Sequence, residues 1–174
     1  MCADEIKLVE MAAQKGDPGA LYELGSLCLY PPDDGFPYGV EEGIEYLTRA
    51  ADLGNNDAAD LLGKIYFADE FDCEDDFKAF EYSKRAANAG YVYSQCRLGY
   101  AYATGRGTDC DAKESVKWLE LATAAPWDCQ YALSVLHDLR SGTSLFDAAE
   151  RNLHLLLRVV CVATPRELAE LAFR

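Results

Sequence analysis

Four features of the chain carry residue types that could do chemistry. His137 and His154 are its two histidines, and Cys129 and Cys161 lie near one or the other in sequence. A Cys–His pair becomes a nucleophile only when thiol and imidazole are within hydrogen-bond reach and a third group orients the base. Nothing in these spacings secures either condition, so buried structural cysteines and partly exposed histidines are the simpler reading. The run Asp69-Glu70-Phe71-Asp72-Cys73-Glu74-Asp75-Asp76 offers carboxylate oxygens of the kind calcium prefers. It lacks the Asp-x-Asp-x-Asp-Gly order and the distant Glu of an EF-hand loop, and reads as a solvated acidic loop. Gly105-Arg106-Gly107 lacks the further Gly and Lys of a phosphate loop and stands between two helical segments rather than after a strand. The seven cysteines, Cys2, Cys28, Cys73, Cys96, Cys110, Cys129 and Cys161, contain no CxxC pair, and two histidines supply a zinc site poorly. The expectation is a protein with no catalytic residues, no metal and no cofactor.

The composition narrows the partners. The chain has 174 residues, 50% hydrophobic and 26% charged, which fits one globular domain or one short repeat array. Its 30 acids outweigh 16 bases for a net charge of −14, which argues against nucleic acid and against anionic membrane surfaces. Residues 1–129 carry all of that excess. The start, Met-Cys-Ala-Asp-Glu-Ile, has no basic region followed by an apolar core, so no signal peptide is expected. The most apolar stretch, 153–163, is interrupted by His154 and Arg158 and is far short of the roughly 20 residues of a membrane span. An odd cysteine count without regular spacing is a poor disulfide framework, so a cytoplasmic protein with seven reduced thiols is expected.

Stepping outward from single residues, one period organises the chain. Leu-Gly pairs stand at Leu24-Gly25, Leu62-Gly63 and Leu98-Gly99, spaced 38 and 36 residues apart. Ala-Ala pairs at Ala12-Ala13, Ala50-Ala51 and Ala86-Ala87 have the same spacings, and Gly16, Gly54 and Gly90 follow them at a fixed offset. Three markers sharing one period signal a repeat architecture. Apolar residues recur at three- and four-residue steps, as in Ile44, Leu47 and Ala51, which predicts helices over 18–30, 40–53, 56–68, 75–89, 92–104 and 112–124. Gly16, Gly54 and Gly90 fall just past helix ends, where a left-handed conformation is needed. A Gly inside each first helix costs about 1 kcal/mol relative to Ala, which predicts close approach of a neighbouring helix there.

These residues resemble the Sel-one-like repeats, relatives of the tetratricopeptide repeats. The third unit fits that template best, with Leu98-Gly99, Tyr102, Gly105-Arg106-Gly107, Asp111, Trp118 and Ala122, although Ser94 and Ser115 replace two Ala positions. The second unit supplies Ala58, Leu62-Gly63, Tyr66, Asp75, Ala79, Tyr82, Ala86-Ala87 and Gly90; the first supplies Ala20, Leu24-Gly25, Tyr46, Ala50-Ala51 and Gly54, with Cys28 in a Tyr slot. The resemblance implies an all-α fold: a right-handed α/α solenoid of about four helix-turn-helix repeats with a C-terminal capping helix. Its parts are a truncated leading helix over 4–16, repeats at about 17–54, 55–90 and 91–125, a degenerate repeat at 126–163, and the cap at 164–174, opened by Thr164-Pro165. For function the resemblance implies protein–protein scaffolding.

In tetratricopeptide-like units the first helices line an inner face. Counting from the Leu of each Leu-Gly pair places Tyr22, Ser26 and Tyr30 on that face in the first unit, and Asp57, Asp60, Lys64 and Phe67 in the second. The third contributes Tyr93 and Tyr100, and the fourth His137 and Arg140. An aromatic stripe beside carboxylates suits a peptide or protein segment that is basic and amphipathic, bound by a non-enzymatic adaptor. Two alternatives stand. The apolar helices near Leu155, Leu156, Leu157, Val159 and Val160 could form a homodimer of a self-assembling structural protein. A hydrolase like the cysteine-rich Sel-one-like proteins would need cysteines paired at a short fixed spacing inside each repeat, which this chain lacks.

Overall fold

A computed structural model of the chain describes residues 3–31, 37–68, 71, 73, 75–124 and 129–162, with the side chains of 3, 4 and 158–162 excepted. The expected capping helix at 164–174 and four of the eight residues of the acidic run, 69, 70, 72 and 74, lie outside the described residues. The elements are α1 (Ala3–Gln14), α2 (Pro18–Leu29), α3 (Val40–Asp52), α4 (Asn56–Ala68), α5 (Asp76–Asn88), α6 (Val92–Thr104), α7 (Ala112–Ala124), α8 (Gln130–Arg140) and α9 (Leu145–Val162). The helices expected over the three repeats agree with these bounds to within a residue or so at each end.

The starts repeat because the caps do. The Asp17 carboxylate accepts from the Ala20 N–H at 2.8 Å, Asn55 Oδ1 from Ala58 at 2.9 Å, Asp75 from Lys78 at 3.0 Å, and Asp111 from Glu114 at 3.1 Å. Each satisfies one of the donors that a helix N-terminus leaves without an internal partner. The ends repeat too. Gly16, Gly54 and Gly90 have φ of 82°, 101° and 96°. The left-handed turn lets the next residue reach back, so that Asp17, Asn55 and Tyr91 donate to the carbonyls of Ala12, Ala50 and Ala86. Gly105 and Gly107, at φ 79° and 72°, form the turn expected of Gly105-Arg106-Gly107.

The contacts divide the chain into two compact units, Met1–Leu62 and Gly63–Arg174. In the first, α2 packs between α1 and α3. The α2–α3 crossing is built on two glycines: a Cβ added at Gly25 would stand 2.7 Å from Leu47 Cγ and 3.0 Å from the Gly43 carbonyl, and one at Gly43 would stand 2.8 Å from Cys28 Cβ. The close approach expected from Gly25 is therefore met, and Leu21, Leu24, Leu47, Ala50 and Ala51 close around it as core.

In the second unit α6 is the central helix, packed against α5, α7 and α9. Gly99 admits Leu119, and Gly63 admits Ser83, so Leu47, Ser83 and Leu119 fill one slot in successive repeats. The two serines that depart from the repeat template have work of their own. The Ser115 hydroxyl donates to the Gly99 carbonyl at 2.7 Å, and Ser94 Oγ accepts from Arg97 Nη2 at 2.6 Å. Arg97 is 3% exposed, and its Nε also donates to Ser83 Oγ at 3.1 Å. A buried guanidinium is tolerable only when its donors are met, which explains Ser94 where the repeat otherwise carries Ala and Ser83 where the neighbouring repeats carry Leu.

The thiol expectation is corrected. Cys96, on α6, and Cys129, which caps the start of α8, are joined as a disulfide. They are 33 residues apart, close to one repeat length, so the first helices of two successive units bring them side by side. That pairing had no local signal. Among the described residues, Cys28 and Cys110 are free thiols.

Candidate interaction surface

Within the first unit, residues placed on the inner face by repeat arithmetic do gather. Tyr22 on α2 is half-buried, and its phenol lies near Ser26 one turn on and near Asp57 and Asp60 of α4. Burial pushes its pKa above the usual value; the Ser26 hydroxyl lowers it and the two carboxylates add to the rise. Asp57 is exposed, while Ser26 and Asp60 are half-buried. Tyr30 is half-buried at the C-cap of α2, its N–H donating to the Ser26 carbonyl at 2.9 Å. The result is one aromatic ring with a hydroxyl and two carboxylates around it, open to solvent on the acidic side.

The second unit treats its residues differently. Phe67 and Tyr100 are only 5% and 3% exposed, and their rings meet edge to face at 5.5 Å. The Tyr100 ring also packs against Tyr131, and its hydroxyl donates to Glu150 Oε1 of α9 at 2.8 Å. Burial first, and then this hydrogen bond and the charge of Glu150, push the Tyr100 phenol up to about 12. Arg106 places its guanidinium 5.0 Å over the Phe67 ring and pairs with Asp76 at 2.6 Å. Phe67 and Tyr100 are thus packing residues, and the expectation that they present contact area to a ligand is not met in this conformation. Tyr93 and Lys64 are half-buried; His137 and Arg140 are exposed on α8.

The cause is α9. A second helix of a regular repeat packs beside its own first helix and the next; α9 instead packs against α8 and reaches α6. It buries Ala148, Ala149, Asn152 and Leu156, and Arg151 and Asn152 both donate to Asp138 Oδ2 of α8, at 3.3 and 3.1 Å. Counting from Leu98 found Tyr100 but could not find Glu150, 50 residues on, because the fourth unit has lost the markers that set the register. The helix read as a candidate dimer surface buries Leu156 within its own chain.

Of the two cysteines in the Cys–His reading, Cys129 is bonded to Cys96 while His137 is exposed, and the Cys161 side chain lies outside the described residues. Among the described residues no helix is long and apolar enough to cross a membrane.

Comparison with known proteins agrees with this geometry. The Sel1 repeat model matches residues 18–55, 57–91 and 92–125. A Sel1 repeat protein from Oxalobacter formigenes, known from its crystal structure, is similar with a TM-score of 0.66 and 30% identity, covering 77% of this chain and 98% of that one. The protective antigen c5321 of uropathogenic Escherichia coli, which displays the same repeat fold, has a TM-score of 0.66 and 25% identity over 88% of this chain and 33% of its own. The chitin synthase regulator SKT5 of Saccharomyces cerevisiae is 37% identical over 81 residues, which is 45% of this chain but only 12% of the regulator's length. Three consecutive matches covering more than half the sequence, on a helical framework shared with solved relatives, place the chain in the Sel1 repeat family.

Proposed function

We propose that the chain is a non-enzymatic protein-interaction adaptor whose first unit takes a basic, amphipathic segment against Tyr22, Asp57 and Asp60. The observation that carries this reading is the half-buried Tyr22 ring flanked by two carboxylates from the next first helix. A phenol offers much contact area for few rotamers, and neighbouring acids favour a cationic ligand and speed its approach. Sel1 repeat proteins are typically protein-interaction adaptors, and the similarity to a regulatory protein supports a protein partner over a small substrate.

The test uses short fluorescein-labelled helical peptides of one apolar pattern, one carrying Lys and the other Glu at the polar positions. The Lys peptide should bind and the Glu peptide should not. Tyr22→Ala should weaken the Lys peptide by about 5- to 30-fold, a loss of ~1–2 kcal/mol. Equal binding of both peptides, or a Tyr22→Ala protein with unchanged affinity, rejects the surface.

A further inference from the structure

The first unit holds a second feature, on the side of α1 and α3. Glu10 and Gln14 of α1, Tyr38 from the segment before α3, and Tyr46 and Arg49 of α3 line a cleft of about 80 Å3 floored by Leu24. Cofactor and drug-sized pockets run to about 300–1,000 Å3, so this one suits a single side chain. The Tyr38 and Tyr46 rings stand at 86° with centroids 6.2 Å apart and make a two-walled aromatic corner. The Tyr38 hydroxyl donates to Glu10 Oε1 at 3.1 Å, which fixes the carboxylate beside that corner and leaves Oε2 as an acceptor. That hydrogen bond, ahead of burial, holds the Tyr38 phenol above its ordinary pKa and keeps it a donor.

Two opposite charges line the cleft, and their settings differ. Glu10 is half-buried and Arg49 is exposed. Water and salt screen an exposed charge far more than a sheltered one, so Glu10 decides the sign of the ligand. An ammonium is attracted both to a carboxylate and to the face of a phenol within about 6 Å of its ring centre. We infer that this cleft is a lysine pocket: the ammonium of a partner's Lys reaches Glu10, its alkyl stem lies in the Tyr38–Tyr46 corner, and Arg49 donates to the partner's backbone carbonyl at the rim. The pocket presupposes the adaptor reading above, because only a protein or peptide presents such a side chain, and it adds Lys as the residue read.

The probe is Nα-acetyl-lysine N-methylamide, titrated into the full chain and followed by amide chemical shifts. The Nε-acetylated, norleucine and glutamate analogues are the controls. Saturable shifts should centre on Glu10, Tyr38 and Tyr46. Acetylating the ammonium, or changing Glu10→Gln, should weaken binding at least about tenfold, as expected for losing one charge-assisted hydrogen bond. Tyr38→Phe should weaken it less, and Arg49→Gln should leave the preference for Lys over norleucine intact. Equal shifts with norleucine, stronger shifts with the glutamate analogue, shifts centred elsewhere, or a Glu10→Gln protein that binds normally would each overturn the pocket. Loss of the peptide response at Tyr22 with an intact Glu10 response would reject the inner-face surface alone; the reverse would reject the pocket alone.

Discussion

The Tyr100 hydroxyl donates to Glu150 Oε1 at 2.8 Å, linking the central helix of the third repeat to a helix 50 residues later. The bond ties the second helix of the degenerate fourth unit, α9, to the first helix of the third, α6. It also fixes a pH dependence. Tyr100 has a native pKa of about 12 against 10.0 when unperturbed, so between those values the unfolded chain releases a proton that the native state keeps. The unfolded state then binds fewer protons, and stability falls as pH rises. The stability that Tyr100 contributes is complete below pH 10 and lost on approach to pH 12. Tyr100→Phe should show a flatter decline of denaturation midpoint over that range than the parent; parallel curves would contradict the assigned environment.

Gly25 predicts a packing cost. Replacing it with Ala gains up to about 1 kcal/mol of helix propensity, but its Cβ would meet Leu47 Cγ at 2.7 Å and the Gly43 carbonyl at 3.0 Å. Overpacking of this kind costs ~1–3 kcal/mol, and a backbone carbonyl yields less readily than a side-chain end. Gly25→Ala should therefore unfold at lower denaturant than the parent. A gain in midpoint would show that the α2–α3 crossing has slack.

The start of α2 offers a separate stability test. Asp17 accepts the Ala20 N–H with Pro18 in the first turn. Asp17→Ala should cost ~0.5–2 kcal/mol, and Asp17→Ser should recover most of it, because the hydroxyl can take the same donor. Equal loss for Ala and Ser would mean that the cap bond contributes little.

The thiols make a covalent prediction. Alkylation under non-reducing denaturation, followed by peptide mapping, should recover Cys96 linked to Cys129 and label Cys28 and Cys110. Alkylated Cys96 and Cys129 in the native preparation would restore the expectation of reduced thiols there.

Charge and ring in the first unit should separate kinetically. Asp57→Asn with Asp60→Asn should chiefly slow association of the Lys peptide and flatten its salt dependence, while Tyr22→Ala should chiefly speed dissociation. Stopped-flow mixing at two salt concentrations distinguishes the two. A double Asn variant with an unchanged association rate would remove the steering role.

By itself, the sequence determined the repeats. Caps such as Asp17, Asn55 and Asp75, the left-handed Gly16, Gly54 and Gly90, and the crossing glycines act through neighbours a few residues away or one period on, so spacing alone exposes them. It also gathered Tyr22, Ser26, Asp57 and Asp60, because a regular repeat converts residue counting into position. Tertiary structure alone decided where that regularity stops. Val135-Leu136 carries no register, so the docking of α9 on α6, the burial of Tyr100 and the partnership with Glu150 follow from which apolar face could be covered. The Cys96–Cys129 pairing and the Glu10–Tyr38–Tyr46 corner have the same origin. Each joins residues that no repeat marker singles out, and only packing sets how near they come.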